Sequence, residues 1–411
     1  VTQTSKAAAA GLLDKTLTGL NVAVTGAVYD LANATVASSL TLGNVRTNTT
    51  STVNVANTVI TSATYQDSLD VAATTSNGKL TLSTLGNLIA GANADLTVTA
   101  ATAGSLASTL TLALTSNARG IADLTNEALT SKTVAVTGTA YDYARATLAN
   151  TSLAFGNVRT GDQATVGVTN TVTTSASFQD SLDVAASSAN GKLTVSSPAN
   201  VLAGNTGNVG FTAFAAGSLD ATVALALTSN ANNIGNLSDL GLTGQSIAVT
   251  GAAYDYAVSA VTNTTLAFGN VRTASTPAAQ TLTFGNTTVS NAAYQDALLV
   301  ATSANNSKLT ATGATITAGT TANLTVAAAT TTAGSLADTL AVTQTSKAAA
   351  TGLLDKTLTG LNVAVTGAVY DLANPTIASS LTLGNVRTNT TSTVNVANTT
   401  ITSATYQDSL D

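Results

Sequence analysis

The chain has 411 residues, a net charge of −6 and only 8% charged side chains, against about 25% in ordinary globular proteins. It contains no Cys, His or Met, which excludes disulfides, thiolate zinc sites and His-based nucleophilic catalysis. The sparse, scattered basic residues give no electrostatic case for a nucleic-acid partner, and the longest apolar run, AAAAGLL at 7–13, falls well short of the ~20 residues that span a bilayer.

In chain order, the first strand signal is Asn21–Thr25 (NVAVT), followed by Tyr29-Asp30. Leu40–Val45, Thr52–Asn57, Ser68–Ala72, Lys79–Ser83, Asp95–Ala100 and Ser108–Thr115 come next, with a tight turn at Asn77-Gly78. Alternation is clearest in STLTLALT, which puts Leu110, Leu112 and Leu114 on one face and threonines or small residues on the other. A period of two with β-branched residues marks half-buried strands. The segment NARGIADLTNEALTSK breaks this pattern and is expected to be a surface loop with one helical turn.

The same series then recurs. GNVRT begins at Gly43, Gly156, Gly269 and Gly384, spaced by 113, 113 and 115 residues. YQD or FQD follows at Tyr65, Phe178, Tyr294 and Tyr406, AGSL begins at Ala103, Ala216 and Ala333, and TG-x-x-YD ends in Tyr29, Tyr141, Tyr254 and Tyr370 with the next Asp. A longer period lies above this one. A shift of 341 superposes residues 342–411 on 1–70 with only Ala10/Thr351, Ala34/Pro375, Val36/Ile377 and Val59/Thr400 differing. A unit is therefore copied in tandem, with a superrepeat of three units. About seven short strands per unit, separated by Gly/Asn/Ser turns, predict an all-β protein of tandem antiparallel β-sandwiches; a parallel β-helix would show a rung period that is absent. The divisions are 1–33 as the end of one unit, 34–145, 146–259 and 260–374 as whole units, and 375–411 as the start of a copy of the first. The chain reads as a segment of a much longer one, with a subunit split between neighbouring molecules as the alternative.

The run Leu153-Ala154-Phe155-Gly156-Asn157-Val158-Arg159, with Val168-Thr169-Asn170-Thr171, Leu202-Ala203-Gly204 and Val134-Ala135-Val136-Thr137-Gly138 before Tyr141, resembles the choice-of-anchor repeats of bacterial surface proteins, a Hydin-type branch of immunoglobulin-like domains. The resemblance implies immunoglobulin-like sandwiches in an end-to-end rod, export to the cell surface or beyond, and no catalytic residue. Phe155 and Phe268 are replaced by Leu42 and Leu383 in the first-type unit, and no anchor segment is present to fix the mode of attachment.

Tyr29, Tyr141, Tyr254 and Tyr370 close each unit and are expected as buried rings at the joints, their hydroxyls bonded across them. The neighbouring Asp30, Asp142, Asp255 and Asp371 are the calcium candidates at the joints; Asp67 with Asp70 is another, weakened because the second carboxylate becomes Leu299 in the third unit. Arg46, Arg159, Arg272 and Arg387 are expected to pair with a local carboxylate such as Asp67, Asp180, Asp296 or Asp408, in preference to contacting anions or glycans. Lys79, Lys192 and Lys308 follow turns and read as solvated, not as partners in a covalent Lys–Asn bond. Connections such as 31–33 and 143–145 are short, so neighbours should abut and each unit should add ~35–45 Å. The expected function is a structural segment of an extracellular filament or surface fibre, partnered by itself through head-to-tail continuation and lateral filament contacts, and neither an enzyme nor a membrane-inserted protein. A stalk of an adhesin whose binding domain lies elsewhere is the alternative.

Overall fold

Alternating strands bury one face each only if two sheets stack, and that is the arrangement here. The computed structural model describes all 411 residues. In the first sandwich the strands are β1 (Ala34–Val36), β2 (Ser39–Arg46), β3 (Thr50–Asn57), β4 (Ser68–Thr75), β5 (Leu80–Leu82), β6 (Asn93–Ala100), β7 (Gly104–Ser105), β8 (Ser108–Asn117) and β9 (Glu127–Tyr141). One sheet runs β1-β3-β6-β5 and the other β2-β9-β8-β4, with β7 on β9. Every pairing is antiparallel except β2 with β9, which is parallel. This is an immunoglobulin-like order. The pattern repeats with β-strands from Ala146–Leu148 to Leu240–Tyr254 and from Ser259–Val261 to Leu361–Tyr370. The third sandwich adds an edge strand, Ala314–Ile316, and a separate short strand, Lys356–Thr357, ahead of Leu361–Tyr370.

Each sandwich has its own core. In the first, Val53, Val55, Leu96 and Val98 face Leu110, Leu112, Leu114, Val134 and Val136; the second and third repeat it with separate sets. Threonines on the outer faces satisfy water without charge. A buried asparagine ties the end of each sandwich together. Asn57 Nδ2 donates to the carbonyls of Asp67 and Leu88, 3.0 Å each, while its Oδ1 accepts from Asn33 N and Gln66 Nε2. Asn170 and Asn286 repeat the set.

Two sequence expectations fail. Asn21–Thr25 forms no strand, although the identical residues lie in the strand Leu361–Tyr370. Val22 and Val24 are 72% and 93% exposed, whereas their copies Val363 and Val365 are 0% and 2% exposed. Pairing partners, not local propensity, decide the difference. The loop before the last strand contains no α-helical turn, and ALTSK already belongs to β9.

Glycine recurs in GNVRT and in TG-x-x-Y because the parallel pair is bulged there. Gly43 lies opposite Gly138 at a register shift, with φ of 66° and 152°, and Gly156 faces Gly251 in the same way. A Cβ on Gly251 would sit 2.5 Å from the Gly156 carbonyl oxygen, and its φ of 142° disfavours any side chain. Gly251→Ala is expected to destabilise the second sandwich by roughly 1–3 kcal/mol, read as a lower urea midpoint than that of the exposed control Gly191→Ala.

Candidate functional site

The bulge positions the residues after it. Along a strand, side chains alternate, so in GNVRT the Val turns into its own sandwich while Asn and Arg share the other side and project towards the next one. Val45, Val158 and Val271 indeed pack on their own cores. Arg46 Nη1 reaches Asp180 Oδ1 of the second sandwich at 2.7 Å, Arg159 Nη1 lies 2.9 Å from Asp296 Oδ2 of the third, and Arg272 pairs with Asp408. The local pairing expected from sequence is therefore corrected: Arg46, Arg159 and Arg272 each take the carboxylate of the following unit, not their own, and Arg387 makes no ion pair.

The acceptor carboxylate is built into a network. Asp180 Oδ2 accepts from Ser229 Oγ at 2.7 Å, and Ser229 Oγ accepts from the Ala144 N–H at 2.8 Å. Asp296, Ser346 and Ala257 repeat this. The connecting backbone is thus fastened to the same group that holds the arginine. It is fastened a second time by a parallel bridge: Asp142 N donates to Phe178 O, and Asp180 N donates to Asp142 O, at 2.9 and 3.0 Å. No slack residue remains between sandwiches.

Around the arginine the loops expected to be free surface take part. Arg46 Nη2 donates to Ser238 O and Asn44 Nδ2 to Gly235 O; Arg159 Nη2 donates to Leu354 O and Asn157 Nδ2 to Thr351 O. The guanidinium faces lie on Tyr143 and Tyr256, 4.4 and 4.2 Å from the ring centroids. The receiving loop of the third sandwich is closed by Asp355, which accepts from Lys347 Nζ and Ala348 N. The Lys347 hydrogen bond, then that of Ala348, holds the Asp355 carboxyl below its usual range. Its contribution to folding is in full above the ordinary carboxylate range and falls away only in stronger acid.

The sequence-predicted residues also gather here. Tyr29, Tyr141, Tyr254 and Tyr370 are half-buried, each against the aromatic ring of the next unit, with centroids 5.5, 5.9, 5.4 and 5.6 Å apart. Their hydroxyls make no hydrogen bond, so ring–ring packing replaces the bond across the joint. Asp255 accepts from Thr160 Oγ1 and Ser290 Oγ, while Asp142 and Asp371 each keep one buried oxygen without a partner; Asp30 is half-buried. These carboxylates do not assemble with others into a group of three, and calcium takes six to eight oxygens. Asp180, with Arg46 on one oxygen and Ser229 on the other, suits a guanidinium better than an ion. The lysines lie along their own sandwiches: Lys308 Nζ donates to Thr332.

Sequence reasoning missed Tyr143, Tyr256 and the receiving loops. The aromatics were visible as the second Tyr of YDY at Tyr141 and Tyr254. The loops bind through backbone carbonyls, which leave no side-chain signature.

No family model matches the chain, and no curated protein matches it. Among solved structures, repeats EC22–24 of mouse cadherin-23 align at 11% identity over 83% of this chain and 99% of that one, with a TM-score of 0.36. The D0–D1 domain of intimin aligns at 15% identity over 53% and 98%, with a TM-score of 0.17. Domains 4–9 of the surface-layer protein SbsC align at 15% identity over 75% of this chain, which spans only 40% of their length, with a TM-score of 0.21.

The side chains of Arg159 and Asp296 are 12% and 0% exposed, and removing one partner of such a pair leaves a buried charge. Arg159→Ala should therefore cost about 3–5 kcal/mol in the stability of the third sandwich and its joint. Arg387→Ala, which removes an exposed arginine that makes none of the ion pairs across the joints, should cost nothing measurable in the same denaturation experiment.

Proposed function

We propose that this chain is a mechanical segment of a long, exported repeat protein of the choice-of-anchor kind, forming an extracellular filament or surface fibre. One observation carries the reading: at both joints between complete sandwiches, an arginine is ion-paired to a buried aspartate that a serine and the connecting backbone hold by hydrogen bonds. Such a joint spends its charged residues on holding two bodies in register. A cation and a carboxylate neutralised by each other have no role left in proton transfer, so the reading is structural and not catalytic. The proposed units are residues 34–145, 146–259 and 260–374, with 1–33 and 375–411 as parts of neighbouring units. No helix is long and apolar enough to cross a membrane, and the sites that recur are sites for the chain's own next unit. Its proposed partner is accordingly itself.

A repeat rod gains length by copying units, each with a separate core. Small-angle scattering from the 411-residue chain should give an elongated particle with three sandwiches in line, longer than ~100 Å at ~35–45 Å per sandwich. Material from the native source, denatured, should be many times heavier than 40.3 kDa. A compact scattering envelope, or beads swinging freely about their connections, would overturn the rod.

A further inference from the structure

The edge that β4 forms along its sheet is treated differently in the three sandwiches. Leu69 exchanges both backbone hydrogen bonds with Leu88 instead of with β8, which fixes the alternation: Leu69, Val71, Ala73 and Thr75 all turn their N–H and C=O groups outward. In the second sandwich the matching groups are covered. Val184 N donates to Pro198 O at 3.3 Å and Ala186 N to Ser197 Oγ at 2.8 Å. In the third, the strand Ala314–Ile316 pairs with Leu298–Val300. In the first, the corresponding segment turns the other way: Ser83 N donates to Thr97 O and Ser83 Oγ accepts from Thr97 N. No acceptor within the chain meets Val71 N or Ala73 N. Val71 is accordingly only half-buried, whereas Val184 and Val300 are 5% and 0% exposed. The cover comes in each case from inside the same sandwich, so the difference is a property of the units themselves.

An uncovered strand edge is a template for another strand. Its own residues say which one. Val71 to Asn77 carry no charge and no proline. Leu69 is already engaged by Leu88, and Asn77 begins the turn, its N–H on Thr75 Oγ1. The free positions are therefore Val71, Ala73 and Thr75. A two-fold axis at Ala73 lays Ala73 on Ala73 and Val71 on Thr75, the one antiparallel register that uses all three positions of both copies and makes about six hydrogen bonds. On the outer face Ala72 then meets Thr74. Asp70 falls opposite Ser76, so no like charges meet, and its carboxylate is already held by Asn87 and Asn117.

We propose that β4 of the first sandwich pairs antiparallel with β4 of a second copy of this chain, joining two sheets into one side by side. The contact is isologous, the same surface serving both partners. It gives the chain a lateral partner in addition to its end-to-end joints, and it does not depend on the reading of those joints.

Sedimentation of the 411-residue chain tests this. A species of 40.3 kDa should give way to one of twice that mass as concentration rises, and hydrogen exchange at Val71 and Ala73 should slow by about 10-fold or more over the same range. Ala73→Pro removes an N–H that makes no bond within the sandwich, a change an edge strand accepts. It should abolish the dimer, while Ala186→Pro, the same change in the second sandwich, should leave it intact. Ala72→Lys with Thr74→Lys sets like charges opposite one another on the exposed face and should weaken association at least 10-fold. Ala72→Lys with Thr74→Glu sets opposite charges there and should restore it. A chain that stays monomeric up to its solubility limit overturns the proposal, and if it is still elongated in solution the joint reading stands. A dimer that survives both Ala73→Pro and the paired lysines rests on another surface and overturns it equally. Failure of the opposite-charge pair to restore association overturns the register.

Discussion

The arrangement depends on a guanidinium held between two sandwiches. A buried ion pair is a poor source of stability, because desolvating both charges cancels most of their attraction. It becomes tolerable when every remaining donor and acceptor is satisfied. At the first joint Arg46 meets this condition with Asp180, the Ser238 carbonyl and the face of Tyr143, and Asp180 meets it with Arg46 and Ser229. At the second, Arg159 Nη1 lies beside Asp296 as an ion pair without a hydrogen bond. What the pair supplies is registration: only one relative placement of the two bodies satisfies all these groups, and any tilt leaves one of them dry and alone.

Registration at that point would mean little if the connection had play in it. The chain crosses the joint as a bridged backbone, and Ala144 N ends on the serine that supports the aspartate. The GNVRT pentapeptide then becomes readable letter by letter. Gly makes the bulge against a second Gly, Val anchors to its own core, and Asn and Arg face the neighbour's loop. The same logic places the asparagine of Val-x-Asn in the core end, where it closes four backbone and amide contacts next to the joint. Fold and joint are thus specified by overlapping residues. The repeat cannot drift in one without losing the other.

Period-two alternation made the sandwich legible, since Leu110, Leu112 and Leu114 face inwards as read. The markers identified the residues of the joint but assigned Arg46 the wrong carboxylate. In a tandem repeat, a residue in one unit and its partner in the next show the same spacing relations as two residues within one unit. Sequence alone leaves that pairing ambiguous by a whole period. NVAVT went wrong for a related reason: Asn21–Thr25 and its copy 362–366 are the same letters in two environments. Strandedness there belongs to the neighbours. The receiving loops were illegible in kind, because a carbonyl is offered by every residue and their variable side chains read as idle surface.

The joints are alike in plan and unequal in strength. Tyr143 and Tyr256 cover the arginine at the first two, but the residue in that place is Leu372 at the third and Leu31 ahead of the first sandwich. Leucine offers no π face, so the guanidinium loses a contact worth about 0.5–2 kcal/mol. Lys356 shares the Tyr256 ring at 4.1 Å, which gives the second joint one cation–π contact more than the first. Because Leu31 and Leu372 are one superrepeat apart, the weaker joint recurs every 341 residues, whereas the arginine, the aspartate and the bridged backbone recur at every unit. The superrepeat is therefore a physical period as well as a sequence one. It changes the side chain that covers the arginine while the ion pair stays constant.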